Sequence, residues 1–456
     1  MLPEKFREKI TASWGEQAAA KLISALQTPS PVSIRLHPKK AGHLCDEYED
    51  IPWCPLGKYL PERPIFTLDP LFHAGAYYVQ EPASMFIWQV LQTLAGSEKE
   101  IRILDLCGAP GGKSSLIASY LDGRGLLVAN EVIKSRAYVL KANLEKTGYA
   151  NCVVTNNDPK DFAEMVGFFD IILVDAPCSG EGMFRKDPQA IGEWSEENVD
   201  LCSARQKRIL ADVYPCLKEG GYIIYSTCTF NDEENIQSAV WASNELDMES
   251  IPVPAASDFD LMAIRNNDVS GYQFSPHLHR SEGLFISVMK KKHGTSPRKL
   301  SLSKKNQPVT PDIRKAISRY VGIPSNMTVF SDPNEEIHLF PTPNYNDVLV
   351  LSQYTRVIMA GVNAGKMVRG ELLPNHALAL AIELPVHFQR VELTKEESLL
   401  FLKKELAEIP VTAKGWTMVT YKNLGLGWVK NIGSRINNYL PNEARIRMDI
   451  PESPDL

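Results

Sequence analysis

Between residues 101 and 291 the chain alternates apolar, strand-like runs with helical segments, a rhythm that few architectures accommodate. The runs are IRILDLC (101–107), GLLVANE (125–131), NCVVTNND (151–158), FFDIILVDAP (168–177), YIIYSTC (222–228) and GLFISVMKK (283–291). Helical patterns over 111–121, 134–147, 201–217 and 232–245 separate them. Strands joined through helices lie parallel in one sheet, and the most apolar run, 168–177, has the composition of a central strand buried on both faces. The expected fold class is therefore α/β, a doubly wound sheet. Such a sheet receives its ligands at the carboxyl ends of its strands, so segments far apart in sequence meet there.

The flanks read differently. Residues 4–27 follow a helical period, with Phe6, Ile10, Trp14, Ala18, Leu22 and Leu26 able to share one side. VSIRLHP (32–38) is strand-like, and 39–69, rich in Pro, Gly and charge, is expected to form an irregular cover. A helix starts near Pro82. The expected division is an N-terminal extension over 1–69, the sheet domain over 70–292, a basic linker over 293–311, an intermediate α+β domain over 312–385, and a β-rich module over 386–456. In that last part a helix (395–406) precedes the strands GWTMVTY and LGLGWVKNI.

Eight cysteines are scattered without a disulfide framework or a CxxC pair, so no metal site is expected and the chain reads as cytosolic and reduced. Its N-terminus does not read as a signal peptide, and no apolar stretch reaches membrane-spanning length. The net charge of −6 argues against a nucleic-acid partner only on average. Basic residues run from Lys290 to Lys305, and Lys414, Lys422, Lys430, Arg435, Arg445 and Arg447 face a single acid, Glu443, over 413–447.

The first strand leads into LDLCGAPGGKS (104–114), a strand, a glycine-rich turn and a helix start. Gly108, Gly111 and Gly112 allow a tight turn and a close ligand. Their spacing fits neither G-x-G-x-x-G nor a P-loop, which disfavours a phosphate cradle. An S-adenosylmethionine site is the leading reading and a dinucleotide oxidoreductase its rival. Glu131, ending the second strand, is placed to bind ribose hydroxyls, Asp158 to reach the adenine edge, and Asp175 to face the same crevice. Cys178 and Cys228 end the fourth and fifth strands beside it. Two thiols there suit one reaction in particular. Cytosine C5 is too weak a nucleophile to take a methyl group until a thiolate adds at C6, and a base must afterwards remove the C5 proton. Cys107, beside the glycine loop, is expected to pack.

The strings YVQEPASM (78–85), DLCGAPGGKS (105–114), VDAPCSGEGMFRKD (174–187), YSTCTFNDEEN (225–235) and HRSEGLF (279–285) resemble the Nop/Sun family of RNA cytosine-5 methyltransferases, most closely its bacterial 16S ribosomal RNA branch. That resemblance implies a Rossmann-like methyltransferase sheet with an N-terminal α+β extension. It implies Cys228 as the covalent nucleophile, Cys178 in product release, Asp175 at the cytosine ring and Lys113 ordering the site. S-adenosylmethionine would be held by Cys107, Gly108, Ala109, Pro110, Gly111, Gly112 and Lys113, together with Glu131, Arg136, Asp158 and Asp175. One departure is Asp158-Pro159-Lys160, where many relatives carry Asp-Gly-Arg.

Residues 415–447 resemble a PUA-type RNA-binding module, with Trp416, Tyr421 and Trp428 expected mainly in its core. Arg35, Arg280, Lys414, Lys422, Lys430 and Arg435 are the expected RNA contacts. The implied partner is 16S rRNA in the small ribosomal subunit, with no membrane and no obligate protein partner. A transfer-RNA methyltransferase, a noncatalytic RNA-binding assembly factor and action on DNA are the alternatives.

Overall fold

A computed structural model describes residues 2–451 apart from 43, 97, 99, 295–298, 406–408 and 412. Its centre is a ten-stranded sheet. We label its strands β1 (Arg102–Asp105), β2 (Leu126–Asn130), β3 (Cys152–Thr155), β4 (Phe169–Asp175), β5 (Leu217–Thr227), β6 (Met248–Ser250), β7 (Met262–Asn266), β8 (Val269–Phe274), β9 (Leu284–Lys291) and β10 (Val357–Ala360). The order is β7-β8-β9-β5-β4-β1-β2-β3-β10, with β6 paired to β9. Strands β3, β2, β1, β4 and β5 are mutually parallel, and β9 joins β5 antiparallel.

Alternate residues of each strand enter opposite faces, as a two-residue period requires. Ile103, Leu127 and Leu173 pack on one side against helices α1 (Gly112–Leu121) and α2 (Lys134–Thr147). Leu104, Val128 and Ile172 pack on the other against α3 (Glu196–Val213) and α4 (Ile236–Glu245). Helix α3 begins earlier than the periodicity placed it because the Ser195 side chain accepts from Asn198 N and caps it.

Three features depart from the sequence expectations. The N-terminal helix is two, Glu4–Trp14 and Glu16–Ala25, divided at Gly15, whose φ of 79° a helix cannot carry. Residues 39–69 are not merely irregular: Asp50–Ile51 and Cys54–Leu60 join Val32–Leu36 and Tyr77–Val79 in a four-stranded sheet. The hairpin β7–β8 and the edge strand β10 extend the central sheet at its two ends. Strand β10 comes from the segment 312–385, whose helix Tyr345–Tyr354 also buries Tyr345 and Val348 in the core beneath the sheet, so this segment is built onto the sheet domain.

The two N-terminal helices matter to the site. Phe6, Ile10 and Leu22 pack with Phe184, Trp194 and Phe230, which belong to the loops following β4 and β5. The C-terminal part forms a four-stranded sheet of Gln389–Glu392, Gly415–Tyr421, Leu424–Asn431 and Ile436–Asn438. Among the described residues no helix is long and apolar enough to cross a membrane.

Candidate active site

Strand β1 delivers Asp105 to the sheet's carboxyl edge, and the chain then turns through residues 106–111 into α1. Gly111, at φ 119°, makes the final bend. A side chain at Gly108 would meet Ser114 Oγ at 2.8 Å and Asp105 Oδ2 at 3.3 Å, so the turn closes only with glycine there. Asp105 is 0% exposed. Its Oδ2 accepts from Ser114 Oγ at 2.5 Å while its Oδ1 has no partner. Burial pushes its pKa up to about 7, against the opposing Ser114 hydrogen bond.

Beside the turn lies a cavity of about 340 Å³. Its walls include Asp105, Cys107, Gly108, Ala109, Pro110, Gly112, Lys113, Asp175 and Cys228. Desolvation pushes the Cys107 thiol up, reinforced by Asp105, so it stays protonated in the wall.

Glu131, at the end of β2, accepts from Ile133 N at 2.9 Å and pairs with Arg136 at 3.4 Å. Arg136 also donates to the Ala109 carbonyl at 3.1 Å, which ties the end of β2 to the glycine turn. Asp158 caps a short 3-10 turn, Pro159–Phe162, through Lys160 N. Glu131 and Asp158 follow the ends of the neighbouring strands β2 and β3 and Arg136 lies in the first turn of α2, all three outside the walls of the cavity.

The thiols meet as the topology requires. Parallel pairing sets Asp175 opposite Ser226, so the loops leaving β4 and β5 start side by side. Cys178 Sγ lies 3.2 Å from Cys228 Sγ. Asp175 Oδ2 accepts from Lys113 Nζ at 2.8 Å and its Oδ1 from Ser226 Oγ at 2.8 Å. Burial alone lowers the Lys113 pKa, but Asp175 and the Cys228 sulfur outweigh it, and the ammonium is held charged. The hydrogen bond to Cys228, reinforced by burial, holds the Cys178 thiol well above the ordinary cysteine range. Cys178 is therefore held as the thiol, while in the contact itself either sulfur can be the donor.

Two buried carboxylates hold this pair in place, and the sequence reading passed over both. Glu181, 1% exposed, accepts from Phe230 N at 2.8 Å, Asn231 N at 3.0 Å and Trp194 Nε1 at 2.9 Å. Glu234 accepts from Ser179 N at 2.9 Å, Gln206 Nε2 at 2.8 Å and Asn231 Nδ2 at 2.8 Å. Each acid belongs to one cysteine loop and binds the other. Glu181→Ala leaves these buried donors unpaired, and the expected loss of stability is roughly 3 kcal/mol or more. Urea unfolding measures it. Glu181→Gln, which keeps an acceptor, is expected to lose less.

The expected RNA contacts fare unequally. Arg35 is 3% exposed, and its guanidinium donates to Gln80 Oε1, Ser119 Oγ and Ser115 Oγ inside the protein. It braces the N-terminal sheet against α1, so its expected place on the RNA surface is corrected. A single strand residue carries no sequence signal of which face it lies on until its partners are known. Arg280 is half-exposed, pairs with Glu49 at 2.7 Å and lies over the Tyr59 ring at 4.3 Å. Lys414, Lys422 and Arg435 are exposed on the C-terminal sheet. Lys430 lies 5.1 Å from the Trp416 ring centroid and 3.6 Å from Glu371. Trp428 is buried in the core there. Of the basic run 290–305, residues 295–298 fall outside the described residues, and Lys291 is buried on the carbonyls of Tyr214 and Leu217.

Residues 91–290 match the model of the 16S rRNA methyltransferase RsmB/F family. Residues 2–82 match the N-terminal domain of 16S rRNA methyltransferase RsmF, and 388–446 the methyltransferase RsmF PUA domain. Ribosomal RNA small subunit methyltransferase F of Shewanella piezotolerans is 30% identical over 92% of this chain and 90% of its own length. That of Serratia proteamaculans is 31% identical over 92% and 91%. A crystal structure of a methyltransferase homolog protein from Pyrococcus horikoshii superposes with a TM-score of 0.54 at 27% identity, covering 63% of this chain and 95% of that one.

Proposed function

The chain belongs to the RsmB/F family of 16S rRNA methyltransferases, and from that premise we propose that it methylates C5 of cytosine in 16S rRNA, with S-adenosylmethionine as donor. The observation that carries this reading is the 3.2 Å thiol pair following adjacent strand ends, with Cys228 in the wall of the cavity beside the glycine turn.

The residues present fit the donor. Asp105 offers a buried, unpartnered oxygen to an ammonium group, and Gly108, Ala109, Pro110 and Gly112 of the turn line the cavity beside it. Glu131, steadied by Arg136, would take the ribose hydroxyls, with Asp158 toward the adenine end. When bound, the donor supplies an electrophilic methyl group.

The target base must leave its stack to reach the thiols. Cys228 Sγ adds to C6, and the electron pair released into the ring makes C5 nucleophilic. Lys113 and Asp175 form a charged, hydrogen-bonded edge beside Cys228 against which the polar side of the ring is held. After C5 is methylated, Cys178 removes its proton and the Cys228–C6 bond breaks. The timing follows from the thiol pair itself. Once Cys228 is bonded to carbon, the contact that most raises the Cys178 pKa is lost, so the Cys178 thiol gives its proton to water and its thiolate can then take that of C5. Residues 386–451, with Lys414, Lys422 and Arg435, would hold flanking RNA backbone.

The direct test is transfer of labelled methyl from S-adenosylmethionine to small subunits from cells lacking the enzyme. Label as 5-methylcytosine in 16S rRNA is the expected result, and label confined to transfer RNA or absent altogether contradicts it.

Asp105→Asn separates donor binding from stability. In the folded protein Asp105 titrates near 7 against an ordinary 3.8, so the folded state holds the extra proton between those values. Its contribution to stability therefore falls as pH rises from about 4 to about 7. The amide has no such cost. The variant is expected to gain most in melting temperature above pH 7 and least near pH 4, while binding S-adenosylmethionine roughly tenfold more weakly by calorimetry.

A further inference from the structure

The methyl-transfer reading leaves one wall of the cavity without a role. Phe285 of β9 pairs with Thr227 of β5, which sets the residues just before β9 beside Cys228. There Gly182 N donates to the Cys228 carbonyl at 2.9 Å, and a Cβ on Gly182 would fall 2.9 Å from the Gly283 carbonyl oxygen. Glu282, next in line, lines the same cavity as Cys228, Lys113 and Asp175.

Glu282 is 2% exposed, and its position is fixed from several sides. Its Oε2 accepts from Arg185 Nε at 2.6 Å, and Arg185 Nη2 donates to the Ser281 carbonyl at 2.6 Å. Its backbone N–H donates to Glu81 Oε1 at 2.8 Å. Yet its Oε1 has no hydrogen-bond partner, and Lys186 Nζ stands 3.8 Å from it. Both oxygens of Asp175, by contrast, already accept hydrogen bonds. A buried carboxylate oxygen held rigidly and left without a donor is costly unless a ligand supplies one.

Resting on that reading, we propose that Glu282 is a specificity-determining residue that selects cytosine over uracil by accepting an N–H of the 4-amino group through Oε1. The two bases differ along this edge: cytosine presents an N4 donor, uracil an O4 acceptor. Against an acceptor-only carboxylate, uracil brings two lone-pair atoms together and leaves both unsatisfied. Sites built to hydrogen-bond a substrate group reject the analogue lacking it far more strongly than apolar pockets reject a missing methylene. Arg185 and Glu81 are positioning residues for Glu282.

The test uses the full chain and 16S rRNA carrying 5-fluorocytidine, or 5-fluorouridine, at the position that the wild-type adduct identifies. Fluorine at C5 cannot leave as a proton, so each productive encounter is retained as a covalent adduct on a denaturing gel. The wild type is expected to trap the cytosine analogue in strong preference. In Glu282→Gln the amide presents N–H to O4, so trapping of the uracil analogue rises, that of the cytosine analogue falls, and the ratio narrows by roughly tenfold to a hundredfold. A gain with uracil cannot come from a damaged fold. The double variant Arg185→Met/Glu282→Leu removes the buried pair without stranding either charge. It is expected to lose the preference as well, and stands for the single variant should that one not fold. An unchanged ratio in a folded variant overturns the assignment and leaves the methyl-transfer reading intact. A wild type that traps neither analogue overturns the reading itself, and the assignment with it.

Discussion

Cys228→Ala lowers methyl transfer to 16S rRNA by roughly 10⁴-fold or more, the scale on which removal of a covalent nucleophile acts. The expectation rests on the division of labour between the two sulfurs. Cys178 is held protonated by its hydrogen bond to Cys228 and by burial. Lys113 stands charged beside the Cys228 sulfur. Without Cys228 the cavity has no sulfur beside Lys113 to add at C6, and C5 stays too electron-poor to accept the methyl group. Stability changes little, because one weak S–H···S contact is lost and Cys228 is only partly buried. Single-turnover methyl labelling alongside a thermal melt checks both parts. More than one per cent of wild-type activity in the alanine variant contradicts the assignment. Cys228→Ser is expected to remain inactive, since a hydroxyl does not ionise at neutral pH.

Cys178→Ala has a different signature. The adduct still forms, because the nucleophile and Lys113 are untouched, but proton removal from C5 loses its base. General bases contribute on the order of 10²–10⁴-fold, so release slows by about that factor while the first methylation continues. The enzyme is expected to accumulate as a protein–RNA species that survives denaturation, with one methyl group transferred per protein and little turnover beyond it. A variant that turns over normally places the base elsewhere in the cavity. An inactive variant with no adduct would instead make Cys178 necessary for the attack.

The central sheet and the meeting of the thiols were legible in the chain because both follow from local pattern plus one rule of topology. Buried parallel strands such as IILV in β4 announce themselves by composition, and parallel order brings their carboxyl ends together. The strand β10 was not legible, because a four-residue run after a helix carries no mark of which sheet edge it will join. Arg35 was misplaced for a related reason. Its three partners come from residues 80, 115 and 119, and nothing near position 35 signals them.

The carboxylates were the larger omission. Asp105 sits at a strand end just as Glu131 does, and the same reasoning applied to both would have found it. Glu181, Glu234 and Glu282 lie inside the very strings that carried the family resemblance, yet an acid in a loop reads as solvated until its burial is seen. Glu181 and Glu234 are buried where the two cysteine loops pack together and Glu282 where the segment before β9 meets Arg185, an arrangement no single segment encodes.

The central claim is that Cys228, and not Cys178, bonds to the base. With both thiols present, the wild-type enzyme can be stalled on 16S rRNA containing 5-fluorocytidine, digested with protease and nuclease, and read by mass spectrometry for the peptide that carries the pyrimidine. The expected product is a methylated, fluorinated cytidine on the peptide containing Tyr225, Ser226, Thr227 and Cys228. The nucleotide on the Cys178 peptide would contradict it and reverse the roles of the two sulfurs.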